Sequence, residues 1–175
     1  MTNYYIYLIS SLPALSFGAK PPLSFDGFLS RCNGLISDRD MDIIRSARAI
    51  DDKCMGAKNG TLRKWIGFNT MVRNELVKIR ALRKKIDPTK YLREDGCPDS
   101  IYASHIAINA YRKPSLIDAE KALDLEKWQY LEELSIGHYF DIDIAIIYAC
   151  KLLILEKWDK IQVADKEKML EGVLS

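Results

Sequence analysis

The segment from Trp65 to Ile86 constrains the fold of this chain more than any other part of its sequence. Its apolar residues recur every three or four positions, which places them on one stripe of an α-helix. That stripe consists of Trp65, Phe68, Val72, Leu76, Ile79, Leu82 and Ile86. Basic residues surround it, with Glu75 the only acid among them. A long, basic, amphipathic helix must be covered either by its own chain or by a partner.

The distribution of charge favours a cover within the chain. The segment 62–86 holds eight Lys or Arg against one acid, whereas the segment 115–143 holds eight Asp or Glu against two Lys. We therefore expect the acidic segment to neutralise part of the basic helix. Nucleic-acid binding through the basic face of residues 63–85 stays open as an alternative, although the net charge of +2 is small for such a protein. Trp65 and Phe68 share the apolar stripe and are interpreted as core rather than as base-stacking residues.

Composition is that of a globular protein, with 48% hydrophobic and 29% charged residues in a chain of 175. The four cysteines are scattered, which indicates free thiols in a reducing compartment and a cytoplasmic location. The first residues lack the basic region of a signal peptide. The apolar run 142–155 contains Asp143 and Lys151 and is too short to span a bilayer, so we predict a buried helix and no transmembrane segment.

Turn and capping residues divide the chain into helices. They are predicted near 5–13, 24–32, 37–52, 61–87, 101–111, 115–137 and 140–171. Ser24, Ser37 and Thr61 are the predicted caps of the second, third and fourth of these helices, and Leu116 is predicted to be buried in the sixth. No alternating strand pattern occurs. The sequence therefore predicts an all-α bundle of about six to seven helices, two of them long and amphipathic. We expect a single helical domain over residues 1–175, with a possible division into two lobes around the loop 89–100.

Catalytic and metal-binding patterns are missing from the sequence. There is no phosphate-binding loop and no nucleophile elbow. The two histidines, His105 and His138, are not predicted to form a metal site, because zinc needs more donors than their neighbourhoods supply. Most acidic residues of the chain are interpreted as solvated charges on exposed helix faces, among them Asp124, Glu126, Glu132 and Glu133. Glu120 and Lys151 lie at apolar positions, where a charge needs an opposite-charge or hydrogen-bond partner unless its side chain reaches the surface. We expect no cofactor, and an enzyme assembled from scattered Asp, Glu and Cys is the weakest interpretation.

Several short motifs along the chain resemble a known family. The first set contains Tyr4-Tyr5, Ser11-Leu12-Pro13, Trp65, Arg73-Asn74 and Arg80-Ala81. The second contains Pro114, Ala119-Glu120, Trp128, Leu131-Glu132, Gly137 to Asp141, Tyr148 and Lys151-Leu152. Together they resemble a family of poorly characterised bacterial proteins encoded with V/A-type ATPases. More distantly, the chain is similar to the C-type stalk component of those ATPases, which is called the d-type component in eukaryotes, although proteins of that C-type family are longer.

This resemblance implies an all-helical, non-enzymatic subunit that works through protein–protein contacts. The C-type component sits on the membrane rotor ring and grips the central stalk, so the expected partners are ATPase subunits. Membrane association is then peripheral, at the inner face, and occurs only through those partners. The positions that the resemblance marks as partner contacts or as a buried polar network are Arg73, Asn74, Arg80, Glu120, Trp128, His138, Asp141 and Lys151.

Overall fold

The computed structural model describes residues 4–48, 59–93 and 101–174, with side chains described as far as residue 164. Within those ranges all regular structure is helical, which confirms the predicted all-α class. The α-helices are α1 (Tyr5–Ser10), α2 (Phe25–Cys32), α3 (Asp38–Ser46), α4 (Gly60–Lys84), α5 (Ile101–Tyr111), α6 (Leu116–Ser135) and α7 (Ile142–Leu174). A short 3-10 helix, Thr89–Tyr91, lies between α4 and α5. None of the helices in the described ranges is long and apolar enough to cross a membrane.

The chain divides into two compact units. The first consists of Met1–Ala49 and Ser135–Ser175, and the second consists of Ile50–Leu134. The boundaries therefore lie after Ala49 and after Leu134, away from the loop 89–100 that the sequence suggests as a division point.

In the first unit, α1, α2 and α3 each pack against α7. Leu8, Phe28 and Ile146 have no exposed surface, so all three contribute to the core. Two polar contacts attach distant parts of the chain to α7. The Tyr148 hydroxyl donates to the Pro13 carbonyl at 3.0 Å, and Glu156 accepts a hydrogen bond of 2.7 Å from the backbone N–H of Phe25. The second contact satisfies one of the N–H groups that the first turn of any helix leaves without an intrahelical acceptor.

Capping side chains fix where most helices begin. Ser24 and Ser37 cap α2 and α3, which confirms both predicted caps. The predicted cap of the basic helix, Thr61, is wrong. Asn59 caps α4 instead by accepting a hydrogen bond of 2.9 Å from the N–H of Leu62, and Thr61 is buried within the first turn.

In the second unit, α4 packs most closely against α5. The two helices run in the same direction, because Phe68 lies beside Tyr102 and Glu75 accepts a hydrogen bond of 2.7 Å from Ser104 further along. α6 runs the opposite way, since Tyr130 near its end stacks on Phe68 near the start of α4, with ring centroids 4.0 Å apart. The backbones of α4 and α5 can approach closely because α5 packs through buried alanines, Ala103, Ala107 and Ala110.

The predicted apolar stripe holds for the first part of α4 but is wrong at its end. Leu82 is 81% exposed, whereas Ala81 is buried. Adjacent residues lie about 100° apart around a helix, so a different face of α4 is covered at this turn. Ile86 lies beyond the helix, which ends at Lys84 because Lys85 adopts the left-handed conformation with φ 54°. Leu116, also predicted to be buried, is 75% exposed.

Candidate functional site

A groove of about 940 Å³ runs along the C-terminal half of α4 in the second unit. α4 forms one wall, and the end of α5, the turn at Pro114 and the start of α6 form the other. A cavity of about 400 Å³ shares six lining residues with the groove and continues along α4 to Ile66. Between Ile66 and Lys84 the helix rises by about 27 Å, at ~1.5 Å per residue. We call these two cavities together the basic groove.

The basic groove combines an apolar interior with cationic side chains. Five cations and one carboxylate line its larger part, namely Arg73, Arg80, Arg83, Lys84, Lys113 and Glu120. Apolar residues make up most of the remaining lining, including Leu76, Val77, Ala81, Ala110, Ala119 and Leu123. Leu123 is 6% exposed and Ala110 is 2% exposed, so these residues also belong to the core of the unit. Such a lining can bind a ligand that is both apolar and acidic.

Arg73 and Asn74 hold the segment after α4 against the helix. The Asn74 side chain accepts a hydrogen bond from the backbone N–H of Arg93 and donates one to the Arg93 carbonyl, both at 3.0 Å. The Arg73 guanidinium donates to the carbonyl of Tyr91 at 3.2 Å. These contacts keep Tyr91 in the lining of the basic groove. Asn74 is therefore a structural residue that positions one wall, while Arg73 both supports that wall and lines the groove.

Glu120 and Arg80 line the groove from opposite elements, Glu120 on α6 and Arg80 on α4. Glu120 is half-buried and makes a polar contact of its own, as expected for a charge at the margin of an apolar stripe. Arg80 is exposed. The structure thus brings together Arg73, Asn74, Arg80 and Glu120, four of the eight residues that the resemblance marks.

The predicted neutralisation of the basic helix does not extend to three cations at its C-terminal end. Glu75, the single acid in its sequence, forms a salt bridge with Lys78 at 2.8 Å. The closest cover of α4 is α5, which contains no Asp or Glu. Within the described part of the chain, no salt bridge involves Arg80, Arg83 or Lys84. The groove therefore keeps a positive rim, because α6 contributes to its larger part only one carboxylate from the acidic segment.

Trp128, on α6, has a core position rather than a contact position, since it is 6% exposed. One turn earlier, Asp124 is 1% exposed and forms a salt bridge with Lys127 at 3.1 Å. The sequence suggests a solvated Asp124, and that interpretation is wrong. Helical spacing explains the burial, because Asp124 and Trp128 are four residues apart and so lie on the same face.

In the first unit, His138 and Asp141 meet at the start of α7. The His138 Nδ1 atom lies 2.7 Å from Asp141 Oδ2, while Asp141 Oδ1 accepts from the N–H of Ile144 at 3.0 Å and caps the helix. Burial acts to raise the pKa of the Asp141 carboxyl, but the hydrogen bonds from His138 and Ile144 outweigh it and hold the pKa below its usual value. The pair is thus a helix-capping arrangement at the N-terminus of α7.

Asp143 extends this pair to three potential metal-binding groups, whose donor atoms all lie within 4.8 Å of one another. His138 and Asp141 are three residues apart, and this spacing could have predicted the cluster from the sequence, although the prediction for the two histidines overlooked it. Three donors fall short of the four ligands of a structural zinc site. Asp141 is already engaged by Ile144, so capping accounts for the cluster without a metal.

Lys151 lies elsewhere in the first unit and is half-buried, with a contact of its own. It lines a pocket of about 220 Å³ together with Tyr148, Ile147 and the loop around Pro13. Neither Glu120 nor Lys151 is fully exposed, and each makes a contact. The eight residues marked by the resemblance fall into four places in two units, and only the basic groove gathers more than two of them.

Some lining residues could not be singled out from the sequence. Tyr91 ends the 3-10 helix after α4 and Tyr111 ends α5, and only the folded unit brings both to the groove. Lys113 has a weak sequence signal, since it follows Arg112 and precedes the helix-ending Pro114.

The model of a family described as "Protein of unknown function (DUF2764)" matches residues 96–174 of the chain. The matched segment contains α5, α6 and α7, and with them Glu120, Trp128, His138, Asp141 and Lys151. No curated protein matches the chain. No solved structure matches it either.

Proposed function

We propose that this protein is a non-enzymatic subunit that binds another protein through the basic groove of its second unit. The observation that carries the proposal is the coexistence in one groove of an apolar lining and three cations, Arg80, Arg83 and Lys84, that form no salt bridge in the described residues. Monomeric proteins seldom expose large apolar side chains together, and such patches are typical of interaction sites. Leu116 and Tyr91, which are 75% and 54% exposed, border this groove.

The partner that we propose is a component of a V/A-type ATPase, from the rotor ring or the central stalk. The resemblance of the sequence motifs supports this part of the proposal, and four of the motif residues line or support the basic groove. The protein then acts as an accessory or central-stalk-type subunit in the cytoplasm. It reaches the inner face of the membrane through its partner.

Nucleic-acid binding through the basic face of residues 63–85 is the second candidate. One observation favours it, namely that Arg80, Arg83 and Lys84 are exposed and free of salt bridges among the described residues. Phosphate contacts need such cations. It ranks second because Phe68 is 2% exposed and stacked on Tyr130, which removes this aromatic residue from any role in stacking on bases.

Co-purification from the native host tests the proposal. The full chain carries an affinity tag, the lysate is kept at moderate salt after nuclease treatment, and the recovered proteins are identified by mass spectrometry. We expect ATPase subunits to be recovered with the wild-type chain and lost with the double variant R80E/K84E. The matched control is R112E/K121E, which makes the same change in charge at two exposed residues of the second unit outside the groove.

Two results would count against the proposal. Recovery of ATPase subunits by both double variants alike would remove the basic groove as the contact site. Recovery of nucleic acid instead of ATPase subunits, in a parallel purification without nuclease, would favour the second candidate.

A further inference from the structure

We infer that the occupant of the basic groove is an acidic, amphipathic α-helix of the partner protein. This inference rests on the proposed function, because it specifies the chemistry of the partner at the same site. Three properties of the groove carry it, namely its shape, the arrangement of its cations and its exposed apolar side chains.

The shape of the groove fits an elongated ligand. α4 provides one wall from Ile66 to Lys84, and α6 runs antiparallel to it on the other side. Ala119 lies in its lining and is not buried. This alanine permits close approach of another helix, because no long side chain keeps the backbones apart there. A bilayer surface is broad and flat, so a membrane cannot reach the interior of a concave groove between two helices.

The cations are arranged along the length of the groove. Arg73, Arg80 and Lys84 follow one another on α4 at intervals of seven and four residues, which keeps them near one face of the helix. They span about 16 Å at ~1.5 Å per residue. Acidic residues repeated at intervals of three, four or seven on a second helix lie at matching positions. Lys113 lines the groove from the other side, so both flanks of a bound helix can meet a cation.

The exposed apolar residues require an apolar stripe on the ligand. Leu116 is 75% exposed, and Ile86 and Tyr111 are 45% and 44% exposed. All three line the groove. Binding of an amphipathic helix removes these side chains from water while its charged edges stay near the cationic rim. A nucleic acid would use the cations but leave the leucine and isoleucine side chains without a matching surface.

The test measures binding of synthetic peptides to the full chain by fluorescence anisotropy. The probe is a peptide of about 18 residues, long enough to follow the ~27 Å wall when helical. Leucines form its apolar stripe and glutamates flank that stripe. A control peptide has the same composition in scrambled order, and two further probes are a single-stranded RNA oligonucleotide and vesicles containing anionic lipid.

We expect the patterned peptide to bind, with a dissociation constant at least about tenfold lower than that of the scrambled peptide. R80E/K84E weakens binding by about tenfold or more, because it reverses two charges on the rim. R112E/K121E changes binding by less than about twofold, although both variants lower the formal net charge from +2 to −2. Leu116→Ser weakens binding several-fold, whereas Leu82→Ser, at an exposed leucine of α4 outside the groove, has no effect.

Other results overturn the inference. Equal binding of the patterned and the scrambled peptide shows that only charge is recognised. If the RNA or the vesicles bind more tightly than the patterned peptide, and R80E/K84E weakens that binding, the groove is assigned to that ligand instead. Failure of the patterned peptide to bind, combined with loss of ATPase subunits from R80E/K84E in co-purification, refutes the helical ligand and leaves the proposed function standing. If the patterned peptide binds but R80E/K84E recovers ATPase subunits as well as the wild type does, the helical ligand stands and the proposed function is refuted.

Discussion

Asn74 offers the sharpest test of how the basic groove is built. Its side chain makes two hydrogen bonds with the backbone of Arg93, and both are removed in Asn74→Ala. A hydrogen bond of this kind contributes about 1 kcal/mol net to stability, so we expect the free energy of unfolding to fall by about 2 kcal/mol. The substitution also raises helix propensity, which offsets up to about 0.7 kcal/mol of that loss.

The control for this offset is Asn109→Ala, at an exposed asparagine inside α5. Both substitutions gain the same helix propensity, so the difference between the two variants in free energy of unfolding isolates the contacts of Asn74 with Arg93. For a chain of this length, about 2 kcal/mol corresponds to a Tm lower by about 4–8 °C. Thermal unfolding followed by circular dichroism measures that shift. Hydrogen exchange at the Arg93 amide reports the lost hydrogen bond directly.

Equal Tm values for the two variants, with unchanged exchange at the Arg93 amide, would refute the role assigned to Asn74. A third variant, Asn74→Asp, separates the two hydrogen bonds. Aspartate keeps the acceptor for the Arg93 N–H but loses the donor to the Arg93 carbonyl. We therefore expect the Arg93 amide to stay protected in this variant.

Three further predictions follow from the two units. Asp141→Asn should lower stability at neutral pH and make stability depend less on acid pH. The Asp141 carboxyl has a lowered pKa in the folded state, so it contributes stability above its unfolded-state pKa of about 3.9, and this contribution is lost as pH falls through the folded-state pKa. Urea titrations at several pH values measure this effect, and a pH dependence like that of the wild type contradicts it. Burial raises the pKa of the Cys32 and Cys150 thiols to about 12, so iodoacetamide at pH 8 should label them only after denaturation, as peptide mapping can show. Phe68→Ala should cost about 3–5 kcal/mol in chemical denaturation, whereas Phe140→Ala, at a half-exposed ring, should cost far less.

Periodicity and capping residues made most of the helices predictable, because both are local properties of the sequence. Ser24 and Ser37 mark the starts of α2 and α3 by hydrogen bonds that span only three residues. The end of α4 was not predictable in the same way. It depends on a left-handed conformation at Lys85, which glycine adopts far more readily than lysine. Burial at the ends of the long helices depends on which neighbour covers each turn, and this is a tertiary property.

The candidate site was only partly predictable. The cations of α4 were evident from their sequence spacing, but their exposure was not, because the charge balance between segments suggested neutralisation. Asp124 illustrates the same limit. Its burial could be predicted only if the face of α6 that carries it were already known to be internal. The supporting role of Asn74 could not be derived locally either, because its partner Arg93 lies 19 residues away and belongs to no helix.

The hydrogen bond between Glu156 and Phe25 joins residues 131 positions apart, and it has a consequence for synthesis of the chain. The first unit is discontinuous, since α1 to α3 precede the second unit and α7 follows it. On the ribosome, α1, α2 and α3 therefore emerge long before the helix against which they pack. The contiguous segment 50–134 can fold meanwhile, whereas Phe28 and Leu8 remain without their core partners until α7 has been translated. Translation of α7 is thus the step that allows the first unit to fold, and a ribosome stalled before it holds a chain with an exposed apolar N-terminal segment.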